Sequence, residues 1–279
     1  MFRVMLWLAI GWAAQIAVQK SWLALQLPDP GGTVSELIFY GVMIAVVANR
    51  ARKYCGAAWS TLVPLRGVSL NVAPAILLTT LAGLVLSYQS IALSDALSPI
   101  VVVEPAVAMA SGPAWVGHFA TLLIFNAAMP AFFEEALCRG LILNTLAEDM
   151  SKRRAIIISA ALFAVMHGAI ERTPGTFIGG LLYGWMYVQT GSLLPGMFAH
   201  AIHNSLVEML DRANAFQADG SLRFGVDGYG LLPAWIVCVA IAAMIAGAAT
   251  IRKTSVWPED PGWRDAEELA ELEHHNRAA

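Results

Sequence analysis

Charged residues are scarce in this chain. Aspartate, glutamate, lysine and arginine together account for 13% of the 279 residues, whereas hydrophobic residues account for 58%. Soluble domains carry roughly 25% charged residues, so the composition excludes an ordinary soluble globular protein. A basic surface for nucleic acid is also missing, since the formal net charge is -3. The composition predicts a polytopic membrane protein whose surroundings are the lipid bilayer, with no nucleic-acid partner.

Cysteine and several protease motifs are also rare or absent. The three cysteines, Cys55, Cys138 and Cys238, have no paired spacing, which argues against a disulfide framework and against a thiolate metal site. The sequence contains no His-Glu-x-x-His zinc motif. It also lacks a Gly-x-Ser-Gly serine motif and a Gly-x-Gly-Asp aspartyl motif. The common sequence signatures of metallo-, serine and aspartyl intramembrane proteases are therefore not found.

Long apolar runs fill most of the chain, and proline and glycine residues separate several of them. About 20 apolar residues cross a bilayer as one helix. We therefore predict an all-α bundle of about eight transmembrane helices in one integral-membrane domain, 1–251, followed by a polar cytoplasmic tail, 252–279. The first run is too long for a signal-peptide core, so we expect it to be retained as an anchor. The predicted helices cover 4–27, 34–50, 72–93, 115–147, 155–169, 175–190, 193–211 and 232–251.

Lysine and arginine cluster at three places along the chain. Loops that remain in the cytoplasm carry the excess of these residues. All three clusters fall on one side of the membrane if both termini are cytoplasmic. This distribution predicts a multi-pass protein of the plasma or inner membrane with that orientation. The clustered residues are Arg50, Arg52, Lys53 and Arg66, then Lys152, Arg153 and Arg154, and finally Arg252 and Lys253.

Two adjacent carboxylates and an arginine interrupt the apolar run 115–147. They are Glu134, Glu135 and Arg139, and ionisable groups at membrane depth are costly enough to indicate a function by default. In a helix, Glu135 and Arg139 are spaced i,i+4 and can pair, whereas Glu134 and Arg139 are spaced i,i+5 and point to different sides. The spacing predicts a Glu135–Arg139 pair and a free Glu134. A buried pair that only holds helices together is the alternative.

Histidine and asparagine side chains interrupt two later apolar runs. His167 ends the segment Phe163-Ala-Val-Met-His167, and His200 and Asn204 share one helix face at i,i+4. His203, at i+3 from His200, is either a third member of that group or a packing residue with a local hydrogen bond. A single histidine inside a membrane can also be only a satisfied contact between helices.

These polar residues and Glu134 lie at similar predicted depths. The depth follows from counting about 1.5 Å per residue from the predicted cytoplasmic helix ends. Polar groups near the middle of the membrane normally face a water-filled cavity. We therefore predict a wet chamber walled by the fourth, fifth and seventh helices. A glutamate, histidines and an asparagine in such a chamber suit acid–base chemistry on a water molecule and stabilisation of an oxyanion.

Three motifs follow one another on successive predicted membrane helices. They are Glu134-Glu135-x-x-x-Arg139, Phe163-x-x-x-His167 and His200-x-x-x-Asn204. Together they resemble the CPBP family of intramembrane proteases, which includes the CAAX prenyl endopeptidases, over a motif core of about 126–210. The resemblance implies a glutamate-type peptidase with eight helices. Carried onto this chain, it implies water activation by Glu134 and His167, an oxyanion site at His200 and Asn204, and support from Glu135 and Arg139.

Cys138 departs from the family pattern. The position before the arginine is commonly aromatic in this family, but here it is a cysteine, at i+4 from Glu134 and on the same helix face. A cysteine nucleophile paired with His167 is one interpretation. A small buried hydrophobic residue is the other.

The resemblance implies an intramembrane endopeptidase. Such a hydrolase would cut a peptide bond near the C-terminus of a membrane-associated protein, either prenylated or with a hydrophobic tail. The family implies no cofactor, although Glu134, His167 and His200 could also bind zinc with an open coordination position. The alternative is a non-enzymatic membrane protein. It would be either a transporter with Glu134 and His167 as a proton relay or an immunity-type binding protein.

Overall fold

In the computed structural model, the described residues form helices joined by short connections, without any strand. This finding confirms the all-α prediction. The first predicted helix lies almost entirely outside the described residues, and the second is described only in part, with 40–45 helical. The structure describes residues 17, 38, 40–45, 48–49, 63–97, 123–147, 150–167, 172–215 and 231–254.

Six helical segments follow in chain order, and each overlaps one of the six remaining predicted helices. The segment α2, 123–147, is continuous but changes its winding. A single 3-10 turn, Leu70–Val72, precedes α1. The other segments are α1, Ala73–Leu97, α3, Lys152–Met166, α4, Thr173–Thr190, α5, Leu194–Ala215, and α6, Ala234–Thr254.

Two of the helices in the described part of the chain are long and apolar enough to cross a membrane. They cover Leu70–Ser94 and Ala234–Lys253. The count of eight spanning helices therefore stays a prediction. α5 carries the polar residues His200, His203 and Asn204 of the motif core.

Segment α2 alternates between two helical forms. Its residues Leu123–Ala128 and Ala136–Leu143 are π-helical, and Met129–Glu135 between them is α-helical. π-Helical turns are rare and occur frequently at functional sites. Two side chains bond to carbonyls in the second π stretch. The Ser159 hydroxyl donates to the Cys138 carbonyl at 2.9 Å, and the Asn144 amide donates to the Gly140 carbonyl at 3.0 Å.

Glycines let neighbouring helices approach closely. A Cβ atom at Gly180 on α4 would lie 2.9 Å from the Cβ of Ala160 on α3, and one at Gly184 would lie 3.3 Å from the Ile156 side chain. The residue number rises along α4 from Gly180 to Gly184 while that of the contacting residue on α3 falls from Ala160 to Ile156, so the two helices are antiparallel. Gly247 on α6 packs in the same way against Thr79 on α1. Small residues at such contacts are typical of helix packing in membranes.

The described residues of the three basic clusters lie at one end of the bundle, whereas Arg172 precedes α4 at the other end. The loop before α1 is hydrogen-bonded to the turn between α4 and α5, where the Ser192 hydroxyl donates to the Arg66 carbonyl at 2.7 Å. α3 begins at the end of the antiparallel α4. The end of α6 packs against the start of α1 through Ile251 and Val72. The basic start of α3 and the basic end of α6 therefore lie on the same side as Arg66, and the membrane orientation stays a prediction.

Candidate active site

Glu135, Arg139 and His200 form a buried network that joins α2 to α5. The Arg139 Nη1 atom lies 2.6 Å from Glu135 Oε1, and the His200 Nδ1 atom lies 3.0 Å from the same oxygen. The Arg139 Nη2 atom donates to the Gly180 carbonyl on α4 at 2.9 Å. Glu135 and Arg139 are fully buried, and His200 is 3% exposed. We call these three residues the paired side of the site.

Two aromatic rings enclose this network. The guanidinium carbon of Arg139 lies 4.6 Å from the ring centre of Phe163 and 5.4 Å from that of Tyr183. The His200 imidazole is stacked on Tyr183, with ring centres 5.0 Å apart and planes inclined by 15°. It meets Phe163 edge to face at 5.5 Å. Cationic groups over aromatic faces are stabilised, more so when water is excluded.

Glu134 lies beside the other nitrogen of His200. Its Oε2 atom is 3.7 Å from His200 Nε2, and its side chain is 14% exposed. This oxygen has no hydrogen-bond partner among the described residues, a property it shares with Glu135 Oε2 and Arg139 Nε. No ion pair joins Glu134 to Arg139 in this part of the chain. The i,i+4 pair and the separate Glu134 that the sequence predicts are therefore both present in the structure.

His167 ends α3 and is exposed. Its Nδ1 atom lies 2.8 Å from the Phe163 carbonyl, and its ring meets the Phe163 ring at 4.7 Å. Since a carbonyl oxygen only accepts, Nδ1 carries the hydrogen in this bond. In the neutral ring, Nε2 is then free to accept a proton. Within the described ranges, no hydrogen bond or ion pair joins His167 to Glu134.

Asn204 and His203 lie further along α5 and are half-buried. Asn204 is one turn beyond His200 in the direction away from the basic end of the bundle. Its side chain makes no hydrogen bond to another described residue, so both its amide and its carbonyl group are available. We call Glu134, His167 and Asn204 the open side of the site. His203 lies on the same helix, one residue before Asn204.

Cys138 is fully buried as a free thiol. It packs in a hydrophobic cluster with Leu137, Leu141 and Phe163. Its side chain makes no contact with His167 that would activate a thiol. The environment is that of a small hydrophobic residue in a core.

The candidate residues do not form a ready metal site. No group of three histidine, cysteine, aspartate or glutamate side chains in the described ranges is arranged to bind a metal ion. His200 uses Nδ1 for Glu135, and His167 uses Nδ1 for a carbonyl. Both bonds leave the Nε2 atoms as the possible ligand atoms, so the spacing of the three side chains, and not their bonding, departs from a zinc site.

Sequence reasoning missed two contributors to the site. Tyr183 on α4 contacts both Arg139 and His200, and Gly180 supplies the carbonyl that accepts from Arg139. Neither belongs to the three motifs. The sequence does not predict which ring a tyrosine in an apolar run stacks against, because that contact depends on how α4 and α5 pack together.

Residues 116–206 match one family model, described as type II CAAX prenyl endopeptidase Rce1-like. The match spans all three motifs and supports the family that they predicted, the CPBP and CAAX proteases. Neither a curated protein nor a solved structure matches the chain. The family implies a membrane-embedded peptidase, and hence a hydrolase.

Proposed function

We propose that this chain is an intramembrane endopeptidase of the CPBP and CAAX protease family. It cuts a peptide bond near the C-terminus of a membrane-associated protein, using a water molecule activated by Glu134 and His167. The observation that carries the proposal is the position of His200 between two glutamates, with Nδ1 3.0 Å from Glu135 and Nε2 3.7 Å from Glu134. This arrangement supports different roles for the two carboxylates, with Glu135 as the supporting one and Glu134 as the reactive one.

A count of charges explains why the division suits hydrolysis. Arg139 stays protonated and balances Glu135, and a buried uncompensated charge is strongly unfavourable. Glu134 and His200 together have no net charge when one additional proton is bound to either the carboxylate or the imidazole. With that proton on His200, Glu134 is an ionised base and His200 Nε2 is a hydrogen-bond donor. One proton arrangement thus supplies both a base for the water and a donor for the oxyanion.

His167 serves as a second proton acceptor. The hydrogen bond from its Nδ1 to the Phe163 carbonyl leaves Nε2 free in the neutral ring. Because no hydrogen bond or ion pair joins His167 to Glu134 among the described residues, the proposed mechanism places a water molecule between the two side chains. That water is the nucleophile of the proposed reaction. It attacks the peptide carbonyl carbon, one of its protons passes to Glu134 or His167, and the leaving amine is later protonated from the same groups.

Asn204 and His200 stabilise the oxyanion that forms on the peptide carbonyl oxygen. Both lie on one face of α5, and the Asn204 amide has no hydrogen-bond partner among the described residues. Donors that face the developing charge stabilise the transition state more than the bound substrate. Glu135 and Arg139 support the site by holding His200 at its Nδ1 atom.

A direct cleavage assay with the purified full chain tests the proposal. One probe is a synthetic peptide with a prenylated cysteine followed by three C-terminal residues, and a second is an unprenylated peptide with a hydrophobic tail. Mass spectrometry of the products gives the cut position. We expect the wild type to cleave at least one probe and Glu134→Ala to cleave neither. Wild-type protein that cleaves neither peptide in lipid vesicles would favour the transporter or binding-protein alternative.

A further inference from the structure

We infer that Tyr183 is a positioning residue that fixes the plane of the His200 imidazole. The inference rests on the proposed function, since it concerns the orientation of a residue in the same site. Tyr183 lies on α4, outside the three motifs, and is 2% exposed. Its ring is stacked on His200 with the centres 5.0 Å apart and the planes inclined by 15°.

The imidazole must point its two nitrogens at two different acids. Nδ1 reaches Glu135 at 3.0 Å, and Nε2 reaches toward Glu134 at 3.7 Å. Rotation of the ring about the bond to Cβ would move Nε2 away from Glu134. The final side-chain torsion of histidine has broad intrinsic preferences, so the torsion itself does not fix the ring plane. The neighbouring groups must fix it.

The contact with Glu135 restrains the rotation of the ring through a single hydrogen bond at Nδ1. Because a hydrogen bond tolerates a range of angles, the ring can still turn within that range and change the direction in which Nε2 points. Tyr183 covers one face of the imidazole, and Phe163 touches it edge to face at 5.5 Å. The flat stack on Tyr183 opposes this turning directly. Offset aromatic pairs of this kind are favourable beyond the area that they bury.

Tyr187 offers a matched control on the same helix. It lies one turn after Tyr183 and is also 2% exposed. Its hydroxyl is hydrogen-bonded to Asn144 on α2 at 2.9 Å, away from the paired side. Replacement of either tyrosine removes a buried ring from α4, but only the replacement of Tyr183 removes the surface beneath His200.

The experiment compares Tyr183→Leu, Tyr183→Phe and Tyr187→Leu in the purified full chain. The substrate is the probe peptide that the wild type cleaves. Displacement of a catalytic group by about 1 Å can cost roughly 100-fold, so we expect Tyr183→Leu to lower kcat by roughly 10- to 100-fold with little change in KM. Tyr183→Phe keeps the stacked ring and should stay within about twofold of the wild type. Tyr187→Leu should lower thermal stability more than kcat.

Histidine side-chain ¹⁵N NMR gives a readout that does not require activity. The His200 signals are assigned by their loss in His200→Asn. We expect Tyr183→Leu to shift them and Tyr187→Leu to leave them nearly unchanged. Equal loss of kcat in Tyr183→Leu and Tyr187→Leu, or an unchanged His200 spectrum in Tyr183→Leu, would overturn the inference. If the wild type cleaves no probe, the proposed function fails while the spectra still decide the role of Tyr183.

Discussion

The paired side and the open side of the site share helices but differ in burial and in bonding. Glu135 and Arg139 are fully buried and are held by a charge pair, a backbone carbonyl and two aromatic rings. On the open side, Glu134 is partly exposed, His167 is exposed, and Asn204 has no hydrogen-bond partner in the described part of the chain. His200 belongs to the paired side and reaches the open side through Nε2.

Because of this difference, we expect the paired side to contribute mainly to stability and the open side mainly to the chemistry. A charged group that is fully buried cannot reach a substrate, but it can hold a neighbour in place. A polar group without a protein partner is costly to keep in an apolar setting, and it is available for a substrate or for water. The comparison therefore predicts different results for the same substitution on the two sides: a loss of activity on the open side and a loss of stability on the paired side.

Glu134→Gln should have the largest effect on activity. The amide keeps the size of the side chain but cannot act as a base, and general bases contribute roughly 10²–10⁴-fold to turnover. We expect kcat to fall within that range while the melting temperature in detergent stays near that of the wild type. Full retention of cleavage by folded Glu134→Gln would remove Glu134 from the mechanism.

Glu135→Gln should mainly affect the stability of the protein. Removal of one partner from a buried ion pair leaves the other charge uncompensated and costs about 3–5 kcal/mol. We expect a clearly lower melting temperature, and a lower kcat because His200 loses the charged acceptor at its Nδ1. Thermal unfolding followed by tryptophan fluorescence measures the difference. Equal, complete loss of activity in Glu134→Gln and Glu135→Gln, with both variants equally stable, would contradict the division into two sides.

Asn204→Ala should lower kcat with little change in KM. Loss of one oxyanion donor typically costs roughly 10²–10³-fold in turnover, and a change confined to kcat marks an interaction made in the transition state. His203→Ala is the control, because it removes a polar side chain one position away on the same helix. It should be much milder. An equal effect of both variants, or an effect of Asn204→Ala on KM alone, would withdraw the oxyanion role.

Chelation should have the smallest effect. Glu134, His167 and His200 are not arranged to share a metal ion, so we expect activity to survive exhaustive treatment with a chelator. Metal analysis of the active protein should then find no stoichiometric zinc. Activity that is lost to the chelator and restored by zinc alone would instead make these three residues ligands.

Local patterns in the sequence predicted the helices and the candidate residues of the site. Apolar runs of known length place a helix within a few residues, because the rise per residue is fixed. The i,i+4 spacing of Glu135 and Arg139 predicted their pairing for the same reason. The π-helical winding of 136–143 carries no comparable signal, since its apolar residues suit an α-helix equally well.

The sequence by itself determined that this chain forms apolar helices and that three of them carry ionisable or amide side chains. Both properties depend on composition and on spacing within one helix. Only the tertiary structure decided that His200 lies between Glu134 and Glu135, that Tyr183 covers its ring, and that the Gly180 carbonyl accepts from Arg139. These contacts join residues 17 to 66 positions apart. Their geometry follows from how closely glycine-containing helices approach each other, which no pattern within a single helix encodes.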